Sequence, residues 1–177
     1  MIFSKGFTLI ETLAAIGILS ISIAATFTAV QNGIQNSTIA KDQITAFYMA
    51  QEAVEFIKNI RDENALHSLS GTPTPWLSGL SDVSSDPCFF GKTCTIDSPL
   101  KIVATCSLGF GSCPNLKKEP NLGLHGYTSS WIDTNFKREI QFNQLNQNEV
   151  VVTISISWTS RGLNQLIRVN QLIFNHQ

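Results

Sequence analysis

The chain has 177 residues, 43% of them hydrophobic and only 14% charged, with a formal net charge of −1. That balance argues against a phosphate-binding surface as the main business, because nonspecific nucleic-acid binding runs on clustered Lys and Arg. Beyond an apolar N-terminal segment, roughly 145 residues remain, enough for one domain with a core of its own.

The first predicted element is an apolar helix. No charged residue follows Glu11 until Lys41, and Thr12 to Val30 is mostly Ile, Leu, Ala and Phe. About 19 residues at about 1.5 Å each span roughly 28 Å, close to the hydrocarbon core of a bilayer. The hydroxyls of Thr12, Ser20, Ser22, Thr26 and Thr28 can bond back to helix carbonyls, so they do not forbid insertion. A secretory signal peptide is the competing reading, but its apolar region is about 7–15 residues long, carries no acid and ends at a small-x-small site. The pattern therefore predicts a retained single span. Lys5 and the initiator amine precede it, which places the bulk of the chain on the outer side. Glu11 needs compensation: an Asp or basic residue at mid-helix in a membrane costs about 2.5–3.5 kcal/mol and usually marks function.

Gly6-Phe7-Thr8-Leu9-Ile10-Glu11, abutting that span, resembles the N-terminal processing site of type IV pilins and type II secretion pseudopilins. The resemblance implies that a prepilin peptidase cuts after Gly6 and methylates the new Phe7 amine. It implies further that Glu11 meets the methylated amine of a neighbouring subunit. Methylation keeps that amine cationic, so the pair neutralises the carboxylate within lipid or a filament core. Implied partners are other pilins or pseudopilins, through the N-terminal helix, and an inner-membrane assembly platform. Implied locations are the cytoplasmic membrane and then a surface or periplasmic filament. Major pilins often carry a helix-breaking proline part-way along this helix, whereas here none occurs before Pro73. The departure fits a minor subunit at least as well as a major one.

Past the span the helical pattern continues. Ala40, Ile44, Phe47, Ala50, Val54 and Ile57 form one stripe, and Met49, Ala53, Phe56 and Ile60 an adjacent one. An unbroken helix of nearly sixty residues, about 85 Å long, is expected to end between Asn64 and Leu69, before Gly71 and Pro73. From Ser68 to about Ser130 glycines and prolines are frequent, and one strand, about Lys101 to Ser107, stands out. Cys88, Cys94, Cys106 and Cys113 fall inside this stretch. An even count in an extracytoplasmic domain reads as two disulfides, and no Cys-x-x-Cys spacing favours zinc. Three connectivities are open; Cys88–Cys94 with Cys106–Cys113, each closing a glycine-containing loop, is preferred.

The last third reads as antiparallel sheet. Phe136, Ile140 and Phe142 share one face, and Val150, Val152, Ile154, Ile156 and Trp158 alternate with Thr153, Ser155 and Ser157. A third strand runs from about Leu166 to Phe174, with turns at 146–149 and 160–164. The expected fold class is thus α+β and pilin-like, a long N-terminal helix packed on an antiparallel sheet. The expected divisions are a leader (1–6), a transmembrane helix half (7–30), an amphipathic half (31–66), a disulfide-stapled variable loop region (67–130) and the sheet (131–177). The basic pairs Lys117-Lys118 and Lys137-Arg138 read as solvated positions.

Little in the chain suggests an enzyme, a cofactor or a metal site. Ser98-Pro99-Leu100-Lys101 fits Ser-x-x-Lys, but that chemistry needs the lysine one helical turn on and a Lys-Thr-Gly strand, whereas Lys92-Thr93 runs into Cys94. His125 and Asp133 form a triad only on paper, and His67 near the helix end suits the helix dipole. Asn36-Ser37-Thr38 fits a glycosylation triplet but lies within the helix. The alternatives to a filament subunit are an adhesive or DNA-binding tip pilin and a membrane-anchored hydrolase using Ser98, His125 or Asp133.

Overall fold

The computed structural model describes residues 6, 8–106 and 109–175. Its first element is helix α1, Leu9–Leu69, 61 residues without interruption. Thr8 opens it: the Glu11 backbone N–H donates to Thr8 Oγ1 at 3.3 Å, an N-cap that satisfies one of the free donors of the first turn. At the other end, Gly71 adopts a φ of 92°, a left-handed conformation that glycine enters freely, and α1 stops two residues before it. The chain divides into two compact units between Lys41 and Asp42.

In the first unit, residues 8–34 are all exposed. The five hydroxyls there donate to carbonyls one turn back, Thr12 to Leu9, Ser20 to Ile16, Ser22 to Ile18, Thr26 to Ile23 and Thr28 to Ala24, at 2.8–3.0 Å. Each of these hydroxyls is thereby satisfied within its own helix. By length and composition the segment suffices to cross a membrane, and none of it is buried.

In the second unit, α1 buries Ala46, Met49, Ala50, Ala53, Val54, Ile57 and Asn64. This seam differs from the expected stripe, since Ile44 and Phe47 are 56% and 48% exposed and Ala40 is exposed as well. The reason is steric. Three alanines at 46, 50 and 53 let the helix backbone approach the sheet, and they draw Met49 and Ile57 into the core while Phe47 turns out. Phe56 and Ile60 pack partly against the same core.

Seven strands form one antiparallel sheet: β1 (Thr93–Asp97), β2 (Ile102–Thr105), β3 (Asn115–Lys118), β4 (His125–Gly126), β5 (Ile132–Asn146), β6 (Glu149–Ser160) and β7 (Leu163–Phe174). β5, β6 and β7 follow one another as a meander, with Ile140 opposite Ile154 and Ile154 opposite Val169. The other edge of β5 is shared by two hairpins. β1–β2 pairs it at Ile140 and Gln141, and β3–β4 pairs it between Ile132 and Lys137. The α+β class therefore stands, but the stretch 67–130 is not all loop. β1 to β4 lie within it and belong to the sheet. β1 is buried at every position, which removes the alternation that would announce it, and β3 and β4 are only four and two residues long. Lys101 takes a φ of 55° in the turn, so β2 begins after it.

The core joins α1 to the even-numbered face of β5 and β6: Phe136, Ile140, Phe142, Val150, Val152, Ile154, Ile156 and Trp158. Arg138 shares that parity, which overturns its expected solvation. It has no exposed surface, and its guanidinium donates to the carbonyls of Met49 (3.2 Å) and Ile96 (2.5 Å) and lies 3.6 Å from the Glu52 carboxylate. Lys137, its neighbour, points to the opposite face and donates to the Gly111 carbonyl. Disulfides join Cys88 to Cys94 and Cys106 to Cys113, with Cα separations of 5.1 and 4.9 Å.

Candidate functional site

The N-terminal segment is built from few parts. Gly6 is exposed, and a Cβ placed on it would meet nothing within 4 Å. Phe7, the position expected to become the N-terminus, lies outside the described residues. Thr8 caps α1, and Glu11 stands in its first turn, where unpaired backbone N–H groups favour a negative charge. The spacing Thr8-x-x-Glu11 is that of a capping box, a signal legible in the sequence but not used above. Among the described residues the Glu11 side chain has no ion-pair partner. From Leu13 to Ile34 the helix beyond it exposes large apolar side chains on every side, Leu13, Ile16, Ile18, Leu19, Ile21 and Ile23 among them. The arrangement is a single carboxylate at the head of an apolar rod. Such a surface is stable in lipid or among like helices, and in either setting an ionised carboxylate is costly unless a cation meets it or it takes up a proton.

The residues of the enzymatic alternative do not converge. Ser98 and Lys101 sit in the β1–β2 turn, where the Lys101 N–H donates to the Ser98 carbonyl, and the Ser98 hydroxyl is buried without a partner. That is a chain reversal, not a helical turn. His125 on β4 and Asp133 on β5 flank β3, two strand spacings or roughly 9–10 Å apart. The Asp133 carboxylate meets Lys117 Nζ at 3.2 Å instead. His67 occupies the last turn of α1, and Asn36, Ser37 and Thr38 are all helical. Among the described residues, no group of three His, Cys, Asp or Glu side chains is placed to hold a metal.

Beneath the fork of the sheet lies a polar cluster that sequence reading missed. Asp97, 5% exposed, accepts the N–H groups of Leu100 (3.3 Å) and Tyr127 (2.9 Å), while the Thr95 hydroxyl bonds both the Tyr127 phenol and the Arg138 carbonyl. Burial holds the Tyr127 phenol above its ordinary pKa. Burial likewise lowers His125 below its usual value; the Glu52 carboxylate opposes that shift, and Lys118 and Arg138 reinforce it. Asp97 ties the first hairpin to the segment after the second, and Thr95 ties both to β5 at the Arg138 carbonyl, which is an architectural role.

Residues 1–27 match the family model described as the prokaryotic N-terminal methylation motif. No curated protein sequence and no solved structure matches the chain.

Proposed function

We propose, from the prepilin-type signal of type IV pilins and pseudopilins that residues 1–27 carry, that this chain is a minor structural subunit of a pilus-like or type II secretion filament. In this reading Gly6 ends a leader of residues 1–6, the peptidase leaves Phe7 as a methylated N-terminus, and residues 7–30 hold the subunit in the cytoplasmic membrane. Residues from 31 onward lie on the outer side, with the sheet facing away from the filament axis. Glu11 and the Phe7 amine of an adjacent subunit set the axial register. The supporting observation is the coincidence of the cleavage signal, the lone first-turn carboxylate and the exposed apolar rod. An α1 that runs from Leu9 to Leu69 with no proline inside it supports the minor assignment; Gly17 and Gly33 are its only weak points.

Co-expression with a prepilin peptidase and mass spectrometry of the N-terminus tests the reading. The product should begin at a methylated Phe7, and Gly6→Ala should leave the leader attached. A mature chain beginning elsewhere contradicts the proposal. Glu11→Ala should be cleaved normally yet enter filaments at a several-fold lower level; wild-type incorporation would remove Glu11 from the charge pair.

A further inference from the structure

The sheet face turned away from the core carries a groove of about 460 Å³, a size suited to a small ligand. Residues of three strands line it, the polar Asn135 on β5, Thr159 on β6 and Asn164 on β7 beside the apolar Trp158 on β6 and Leu166 on β7, with Phe110 on one wall. Lys137 is the one charged side chain on this lining, and no carboxylate contributes. Carboxamides and hydroxyls both donate and accept, which suits a ligand whose own groups do the same.

Two features show the groove to be ordered before any ligand arrives. The Asn135 side-chain N–H donates to the Thr159 carbonyl, and the Thr159 hydroxyl donates to Asn164 Oδ1 at 3.2 Å. This relay fixes both amides and, among the described residues, leaves Asn135 Oδ1 as an acceptor and Asn164 Nδ2 as a donor. Phe110 is 52% exposed, yet its loop is held from beneath. Glu139, 2% exposed, accepts the N–H groups of Gly111 (2.6 Å) and Cys113 (3.3 Å). Lys137 Nζ donates to the Gly111 carbonyl at 2.7 Å, and the Arg168 guanidinium sits 5.9 Å from the Phe110 ring centre. A buried carboxylate and a disulfide thus support a loop whose prominent product is an aromatic face beside a polar trough. Gly111 and Cys113, just beyond Phe110, are held in advance, which lowers the ordering cost of this wall.

We infer that this groove binds a neutral saccharide. Sugar rings present C–H faces that pack on an aromatic plane and a rim of hydroxyls that both donate and accept. A nucleic acid would call for clustered cations, and a lipid chain for a lining free of the carboxamides and hydroxyls that this groove interleaves with Phe110, Trp158 and Leu166. The inference goes beyond the subunit reading and does not depend on it, since binding is measured on the purified chain whether or not it is processed.

The test is a glycan array followed by calorimetry on the full chain, held in a zwitterionic detergent so that no glycoside detergent competes. At least one neutral di- to tetrasaccharide should be retained, with an affinity unchanged by added salt. Phe110→Ala should weaken it about tenfold, Phe110→Trp should retain it, and Asn164→Ala should weaken it without altering the circular dichroism spectrum. Leu124→Ala, outside the groove, should leave it unchanged. Retention of no saccharide, binding indifferent to Phe110→Ala, or salt-sensitive binding confined to oligonucleotides would each overturn the inference.

Discussion

Arg138 links three parts of the second unit through one guanidinium: α1 at Met49 and Glu52, β1 at Ile96, and its own strand β5. Its Nε remains buried without a partner, so the arrangement is not ideal for stability. Replacing Arg138 with Ala removes two buried hydrogen bonds and opens a cavity; a loss of about 3 kcal/mol is expected in denaturant unfolding. Arg138→Met keeps most of the volume and removes the orphaned Nε, while Glu52, at 36% side-chain exposure, regains water. That variant should lose less than half as much. If Met proves as harmful as Ala, the charge rather than the volume carries the contribution. His125 offers a pH-dependent counterpart. Its folded-state pKa lies below the ordinary 6.5, so the unfolded chain takes up the proton first. Its stabilising share is present in full above about 6.5 and is lost as pH falls from there through the lower folded value. The denaturation midpoint should therefore drop between pH 7.5 and 5.5, and His125→Gln should flatten part of that drop. An equal drop in both proteins would show that His125 does not contribute.

At the scale of elements, each disulfide closes a short loop, with sequence separations of 6 and 7. Chain-entropy reasoning assigns about 2 kcal/mol to a loop of that size. Replacing Cys106 and Cys113 together by Ser should lower stability by about that amount, measured by denaturant unfolding, while the Cys88–Cys94 pair stays intact. The elements also show where sequence patterns are informative. β6 is legible because valines and isoleucines at 150, 152, 154 and 156 alternate with polar residues over one wet and one dry face. β1 is not: Thr93, Cys94, Thr95, Ile96 and Asp97 are all buried, since Gln141 and Tyr127 meet the Thr93, Thr95 and Asp97 face while Cys94 and Ile96 enter the core. Arg138 was misjudged for a related reason. A basic doublet suggests solvent, but in a strand its two members face opposite ways, and only Lys137 reaches the surface side. On α1 the large apolar residues drew the expected stripe toward Phe47, whereas the small alanines decide which side packs.

At the scale of the whole molecule, the two units have different requirements. Residues 8–34 are exposed throughout, whereas the buried residues of α1 run from Ala46 to Asn64. A chain beginning at Asp42 should therefore unfold cooperatively and appear in the soluble fraction, while the full chain sediments with membranes. A soluble full chain, or a truncated one lacking cooperative unfolding, would contradict this division. The methylation motif of residues 1–27 was readable because its pattern is local in sequence. The groove was not, because it assembles Phe110, Asn135, Thr159 and Asn164 from three strands and a loop.

The bifurcated edge of β5 has a consequence for how such a chain can change. β1–β2 and β3–β4 attach side by side to one long strand and are laced to each other, Asp97 and Thr95 to Tyr127 and Cys106 to Cys113, so they stand or fall together. Insertions are therefore expected at their tips, 98–101 and 119–124, where a longer turn leaves that lacing in place.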